Sequence, residues 1–197
     1  MTIAMIDRTE MADSEHDLDE MFELLERMSV PEGYRVEIVE GVILMSPQRE
    51  TRWNIILKII LQIQAKHTDE RVLSDYRIDY PGNLNGFASD VTLLKAGASR
   101  NAQDRWECTD VEFVAEVISK GTAANDYGPK KAAYAAAGVP VYLIVDPYVG
   151  RCRVYTLPKE GEYASDLAVT FGTPVDLTDT PLGMVLATDG FPRETRG

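Results

Sequence analysis

The sequence predicts one mixed α/β (α+β) domain over residues 1–197, a sheet flanked by helices, and three observations carry that expectation. Val111 to Pro147 reads as an apolar strand, an alanine-rich helix and a second apolar strand. Tyr34 to Met45 alternates polar and apolar residues around Glu40-Gly41, the pattern of a hairpin. Between them, Thr51 to Lys66 is a strongly apolar helix. Near-continuous apolar strands are usually buried on both faces, and strands interleaved with helices build a sheet domain. A chain of 197 residues is long enough for one sizeable core.

The elements follow in order. Residues 1–15 are expected to be flexible. Leu18, Met21, Phe22, Leu25 and Met28 recur at helical spacing and predict an amphipathic helix, ended by Pro31-Glu32-Gly33. The hairpin comes next, broken by Ser46-Pro47. In the apolar helix, Trp53, Ile56, Leu57, Ile60 and Gln64 make one face, expected to be well buried. Two short strands are placed near Val72–Asp75 and Arg77–Tyr80, then a loop at Pro81-Gly82-Asn83 and Asn85-Gly86, then one strand from Phe87 to Leu94. Lys95 to Asp110 reads as loop. Gly128-Pro129 suits a helix start and Gly138 its stop. Asp146-Pro147 and Val149-Gly150 turn the chain into strand Arg151–Leu157, and Glu160-Gly161 leads to a weaker one. A tail over residues 185–197 closes the chain, with one more short segment expected beyond Gly183.

Composition bounds the function. Cys108 and Cys152 have no metal-type spacing and read as free thiols. No signal-peptide pattern and no membrane-spanning apolar run is seen, so a cytoplasmic protein without membrane contact is expected. A net charge of -12 and a pI near 4.6 oppose non-specific binding to nucleic acid. Part of that charge lies in the first segment, from Asp7 to Glu26, as a solvated helix face.

Chemistry centres on Glu116. In V-E-F-V-A-E-V-I, residues Glu112, Val114, Glu116 and Ile118 share one face of the strand, and Phe113, Ala115 and Val117 the other. A buried carboxylate needs a cation, a metal or a proton. The strand F-A-S-D-V-T-L-L brings a second carboxylate, Asp90, and the two could share Mg²⁺ or Mn²⁺. The plainer alternative is that both sit at strand ends and pair with Arg or Lys. On the helix, Lys130 and Tyr134 lie four apart on one face, and a lysine near a phosphate can stabilise developing charge. The plainer alternatives are surface lysines and a packing tyrosine. His16 and His67 are scattered and support neither a zinc site nor a serine triad.

The order E-V-I-S, then G-T-x-x-x-D-x-x-x-K-x-x-x-Y-x-x-x-G-V-P-x-Y-x-x-V-D-P, resembles the Uma family of restriction-endonuclease-like proteins, in the PD-(D/E)xK superfamily. Y-R-V-E-I-V-E-G-V-I-L-M-S-P and F-A-S-D-V-T-L-L match upstream, so the resemblance covers roughly Tyr34 to Leu157. It implies a restriction-endonuclease-like mixed sheet flanked by helices. It also implies catalytic Asp90, Glu116, Lys130 and Glu37, of which Asp90 and Glu116 hold the metal. Three departures stand out. Ser89 replaces the motif proline. Ile118 stands where the strand lysine is expected, which leaves Lys120 as a second candidate beside Lys130. Arg52 or Trp53 stands where many members carry a histidine.

The expected function is therefore a Mg²⁺- or Mn²⁺-dependent endonuclease acting on nucleic acid, DNA ahead of RNA, and forming a homodimer if both strands are cut. A bound metal would also account for part of the negative charge. The alternative is a non-catalytic regulatory or interaction domain that keeps the fold, which the acidity and Ile118 favour. A carboxylate-pair sugar hydrolase ranks last.

Overall fold

The computed structural model describes residues 8–194 apart from Pro31, 69–70 and Lys120, with side chains described from Asp17 onward. Two sheets share one corner. The first is antiparallel, in the order β2-β1-β5-β4: Val42–Pro47, Tyr34–Val39, Asn85–Ser89 and Tyr76–Tyr80. The second has six strands in the order β10-β9-β8-β7-β6-β3: Glu162–Thr170, Arg151–Lys159, Val141–Asp146, Val111–Val117, Val91–Leu94 and Val72–Leu73. Only β7 and β8 pair in parallel within it, and helices α3 (Ala123–Tyr127) and α4 (Pro129–Ala136) connect them. A small hairpin, β11 (Val175–Leu177) with β12 (Met184–Leu186), forms a separate two-stranded sheet whose Val175, Leu177 and Leu186 are buried in the main core.

The hairpin expected around Glu40-Gly41 is β1–β2, with Val39 opposite Val42. Glu40 and Gly41 both take positive φ, 49° and 73°, as a tight hairpin turn of this hand requires. Helix α1 begins at Arg8 and runs to Arg27, so it takes in residues 8–15 that sequence alone left outside it. Its Leu18 and Leu25 pack on Ile38. Gly86 permits the approach, because a Cβ there would meet the Phe22 ring at 2.5 Å.

The expected single strand from Phe87 to Leu94 is two strands. β5 belongs to the first sheet and β6 to the second, and Asp90 is the residue at the break. Single-strand periodicity carries no sign of a sheet change, since both halves are uniformly buried. The strand parity assigned to β7 is seen in the packing. Phe113, Ala115 and Val117 join the core under helix α2 (Glu50–Gln64), and Val114 and Ile118 join the core under α4.

The face assigned to α2 is corrected. The buried positions are Arg52, Ile55, Ile56, Ile59 and Ile63, whereas Trp53, Leu57 and Leu61 are 52%, 37% and 57% exposed. A helix apolar on nearly all sides leaves its orientation undefined by period alone. Here Arg52, reaching inward, falls on the same stripe as Ile55, Ile59 and Ile63. Ile59→Ala should therefore cost about 2–5 kcal/mol in chemical denaturation, and Leu61→Ala less than about 0.5 kcal/mol.

Candidate active site

Six parts of the chain aim charged side chains at the corner between the sheets. On β1, Arg35 and Glu37 share the inward face, two residues apart. Arg52 comes from the first turn of α2, and Asp90 from the break between β5 and β6. Glu116 lies one residue before the end of β7, while Asp126 and Lys130 come from α3 and α4. All seven are 1–7% exposed.

Arg35 is the hub. Its Nη1 donates to Asp90 Oδ1 at 2.9 Å and to the Ala88 carbonyl at 2.6 Å. Its Nη2 donates to Glu37 Oε2 at 3.0 Å and to Glu116 Oε2 at 3.5 Å. One planar guanidinium thus bridges three carboxylates, a task its fixed fork of donors suits. Arg52 grips Asp90 from another side, Nη2 to Oδ1 at 2.6 Å and Nε to Oδ2 at 3.2 Å. The Val117 backbone N–H completes Asp90 at 2.7 Å.

Lys130 plays the matching part for the glutamates. Its Nζ lies 2.5 Å from Glu116 Oε1, 2.9 Å from Glu37 Oε1 and 3.6 Å from Asp126. The Tyr134 hydroxyl donates to Glu116 Oε1 at 2.9 Å and bonds Ser89 Oγ at 2.8 Å. Glu37 Oε1 also accepts the Ala88 N–H at 3.1 Å.

These contacts set the proton affinities. Burial pushes the Glu116 carboxyl up, but Lys130 and then Arg35 outweigh it and hold the group at about 2. Burial lowers Lys130, and Glu116 and Glu37 more than reverse that, so it stays an ammonium well into the alkaline range. Burial pushes Asp126 up; Lys130 opposes this while Glu116 and Glu37 add to it, leaving the carboxyl at about 7. Burial and the charge on Glu116 keep the Tyr134 phenol protonated.

Glu37, Asp90, Glu116 and Lys130, chosen from the sequence, therefore stand together. Tyr134 contacts Glu116, and Ile118 is an apolar core residue with no part in the ion pairs. Lys120 lies outside the described residues. Arg35 and Asp126 went unassigned, and Arg52 entered only as an occupant of another residue's place. Two signals existed: Arg35 shares strand parity with Glu37, and Asp126 lies one helical turn before Lys130.

The donor set is right in kind for a hard divalent ion, being carboxylate oxygen. It does not fit one as arranged. Each oxygen of Glu37, Asp90 and Glu116 already faces a guanidinium or an ammonium. Among the described residues no group of three or more His, Cys, Asp or Glu is placed to hold a metal.

The Uma2 family, described as "Putative restriction endonuclease", matches residues 19–189. The chain belongs to the Uma2 family. The solved structure of a "putative nuclease belonging to DUF820" from Anabaena variabilis ATCC 29413 has the same fold. It superposes with a TM-score of 0.66 at 14% identity, over 88% of this chain and 96% of that one. No curated protein matches the sequence. No described helix is long and apolar enough to cross a membrane.

Two pH effects follow for this Uma2 site. The Glu116 carboxyl is lowered from 4.5 to about 2, so its stabilisation is present above 4.5 and is lost as pH falls toward 2. Glu116→Gln, which leaves buried cations short of a partner, should cost about 3–5 kcal/mol near neutrality, and urea midpoints should converge with the parent's toward pH 2. Asp126 is raised from 3.8 to about 7, so its favourable contribution is full below 3.8 and is lost as pH rises through 7. Asp126→Asn should therefore gain stability relative to the parent between pH 5 and pH 9, read by the same denaturation series.

Proposed function

We propose that this chain is a nuclease that hydrolyses phosphodiester bonds of nucleic acid, DNA ahead of RNA, at the cluster of Glu37, Asp90, Glu116 and Lys130. The observation that carries this reading is the convergence of those four side chains, drawn from β1, the β5–β6 break, β7 and α4, through shared partners. Membership of a family described as restriction endonucleases supports it.

Each residue has a part that its surroundings allow. Lys130 keeps its proton at neutral pH and acts as a fixed positive charge, able to stabilise charge that develops on a phosphate. Glu116, held at about 2, takes up no proton near neutrality, so it orients Lys130 rather than serving as a base. Tyr134, tied to Ser89, fixes Glu116 in turn. Mg²⁺ or Mn²⁺ is the cofactor this reading calls for, at Asp90 and Glu116, whose oxygens here face Arg35, Arg52 and Lys130. A narrow cleft lined by Arg49, Thr51, Arg52, Ser119, Tyr148 and Glu194 opens beside the cluster; Arg49 there is exposed and paired with Glu194, and Arg52 is buried against Asp90. A homodimer would present two such clefts, one for each strand of a duplex.

A second reading is a non-catalytic domain that keeps the fold. The saturation of every site carboxylate by Arg35, Arg52 and Lys130 favours it.

Plasmid nicking with millimolar Mn²⁺ or Mg²⁺ separates the two. Cleavage by the parent protein and its loss in a Glu116→Ala variant, folded by circular dichroism, is the outcome expected of the nuclease. Intact plasmid, single-stranded DNA and RNA with both metals leaves the non-catalytic reading.

A further inference from the structure

The buried guanidinium at the centre of the site carries one inference more. Four acids, Glu37, Asp90, Glu116 and Asp126, face three cations, Arg35, Arg52 and Lys130. At the centre, Glu37, Asp90 and Glu116 are bonded to those three cations, three charges facing three, with Asp126 to one side at 3.6 Å from Lys130 Nζ. A divalent ion added to that balanced cluster would leave two positive charges uncompensated in a site 1–7% exposed. Burying uncompensated charge is among the most costly events in a protein. An ion can enter only where a resident cation gives way.

Arg35 is placed to be that resident. Its two terminal nitrogens touch Asp90, Glu37 and Glu116, which is the contact set of a single bridging cation. Its Nε is buried without a hydrogen-bond partner, a cost tolerated where the head group is fixed by stronger bonds. Arg52 closes the other side of Asp90 with two nitrogens. That arginine sits in the first turn of α2, where the helix dipole disfavours a cation, so the Asp90 carboxylate is what fixes it there. The cleft beside it measures about 10 Å³, space for about one water.

We propose that Arg35, backed by Arg52, occupies the cation position of this acid site and competes there with any divalent metal for Asp90, Glu116 and Glu37. The inference rests on reading the cluster as the family's acid site, and it deepens that reading by naming what controls entry of an ion. Replacing either arginine leaves the site one positive charge short, the condition in which Mg²⁺ or Mn²⁺ is accommodated.

Calorimetric titration with Mn²⁺ tests this on the full chain. Arg35→Met should bind one Mn²⁺ at least about tenfold more tightly than the parent, a difference of about 1.4 kcal/mol. Mn²⁺ should also raise the melting temperature of Arg35→Met more than that of the parent, and Asp90→Asn added to that variant should remove both effects. Should Arg35→Met fail to fold, Arg52→Gln, which leaves the bridge intact, should tighten Mn²⁺ binding in the same direction. A parent that binds Mn²⁺ as tightly as the folded variants, or folded variants that bind none, overturns the proposal. Tightened binding with no cleavage by any of these proteins keeps the inference and ends the nuclease reading; cleavage by the parent with affinity unchanged across the set does the reverse.

Discussion

Neutralising the buried carboxylates is the constraint on which the rest of this fold depends. Glu116 and Asp90 lie where two sheets meet, with no solvent to share their charge. Ionised groups in such a place are stable only with close counter-charges and satisfied lone pairs. Arg35 meets that demand for three carboxylates at once, and it does so from β1, the strand of the first sheet that pairs with β5. The ion pairs therefore fasten the four-stranded sheet to the six-stranded one at the point where the chain passes between them.

The same demand positions α4. Eight residues are too few for a helix to be stable alone. Lys130 and Tyr134, one turn apart, insert into the core beside Ala133, with the lysine bound to two glutamates and the tyrosine to a third element through Ser89. The tyrosine ring meets Tyr80 edge-on at 4.8 Å and Phe87 at 5.5 Å, so the polar contacts sit inside an aromatic wall. A lysine 1% exposed keeps its charge there because Glu116 and Glu37 lie against it. Packing and electrostatics are thus one arrangement at this corner.

Much of this was legible in one dimension. Strand parity separated Val114, Glu116 and Ile118 from Phe113, Ala115 and Val117, and the two groups do face different cores. The need of Glu116 for a partner, and Lys130 as a candidate, came from burial logic alone. What escaped had physical causes. Asp90 at a sheet break leaves no mark in a run of residues that are buried on either side of it. The buried face of α2 is not legible in the sequence because its apolar residues nearly encircle the helix, and only the reach of Arg52 decides which stripe faces in. Arg35 is hard to read from sequence because arginine on an alternating strand suits the solvent side; its equal parity with Glu37 is the available sign that both turn inward.

The cluster also bears on the acidity of the chain. If unpaired site carboxylates supplied the net charge of -12, a bound metal would remove part of it. The site acids are instead matched by Arg35, Arg52 and Lys130, so the cluster adds little to the external field. The surplus lies outside it, in residues such as Asp17, Glu23 and Glu26 of α1 that face solvent or nearly so. Charges there are screened over about 8 Å at physiological salt. They weaken long-range attraction of a polyanion, and at the cleft beside the cluster Arg49 is paired with Glu194 and Arg52 with Asp90. A polyanion near this chain therefore gains nothing from the overall field and little from those paired arginines, so any attraction has to come from contacts made at short range.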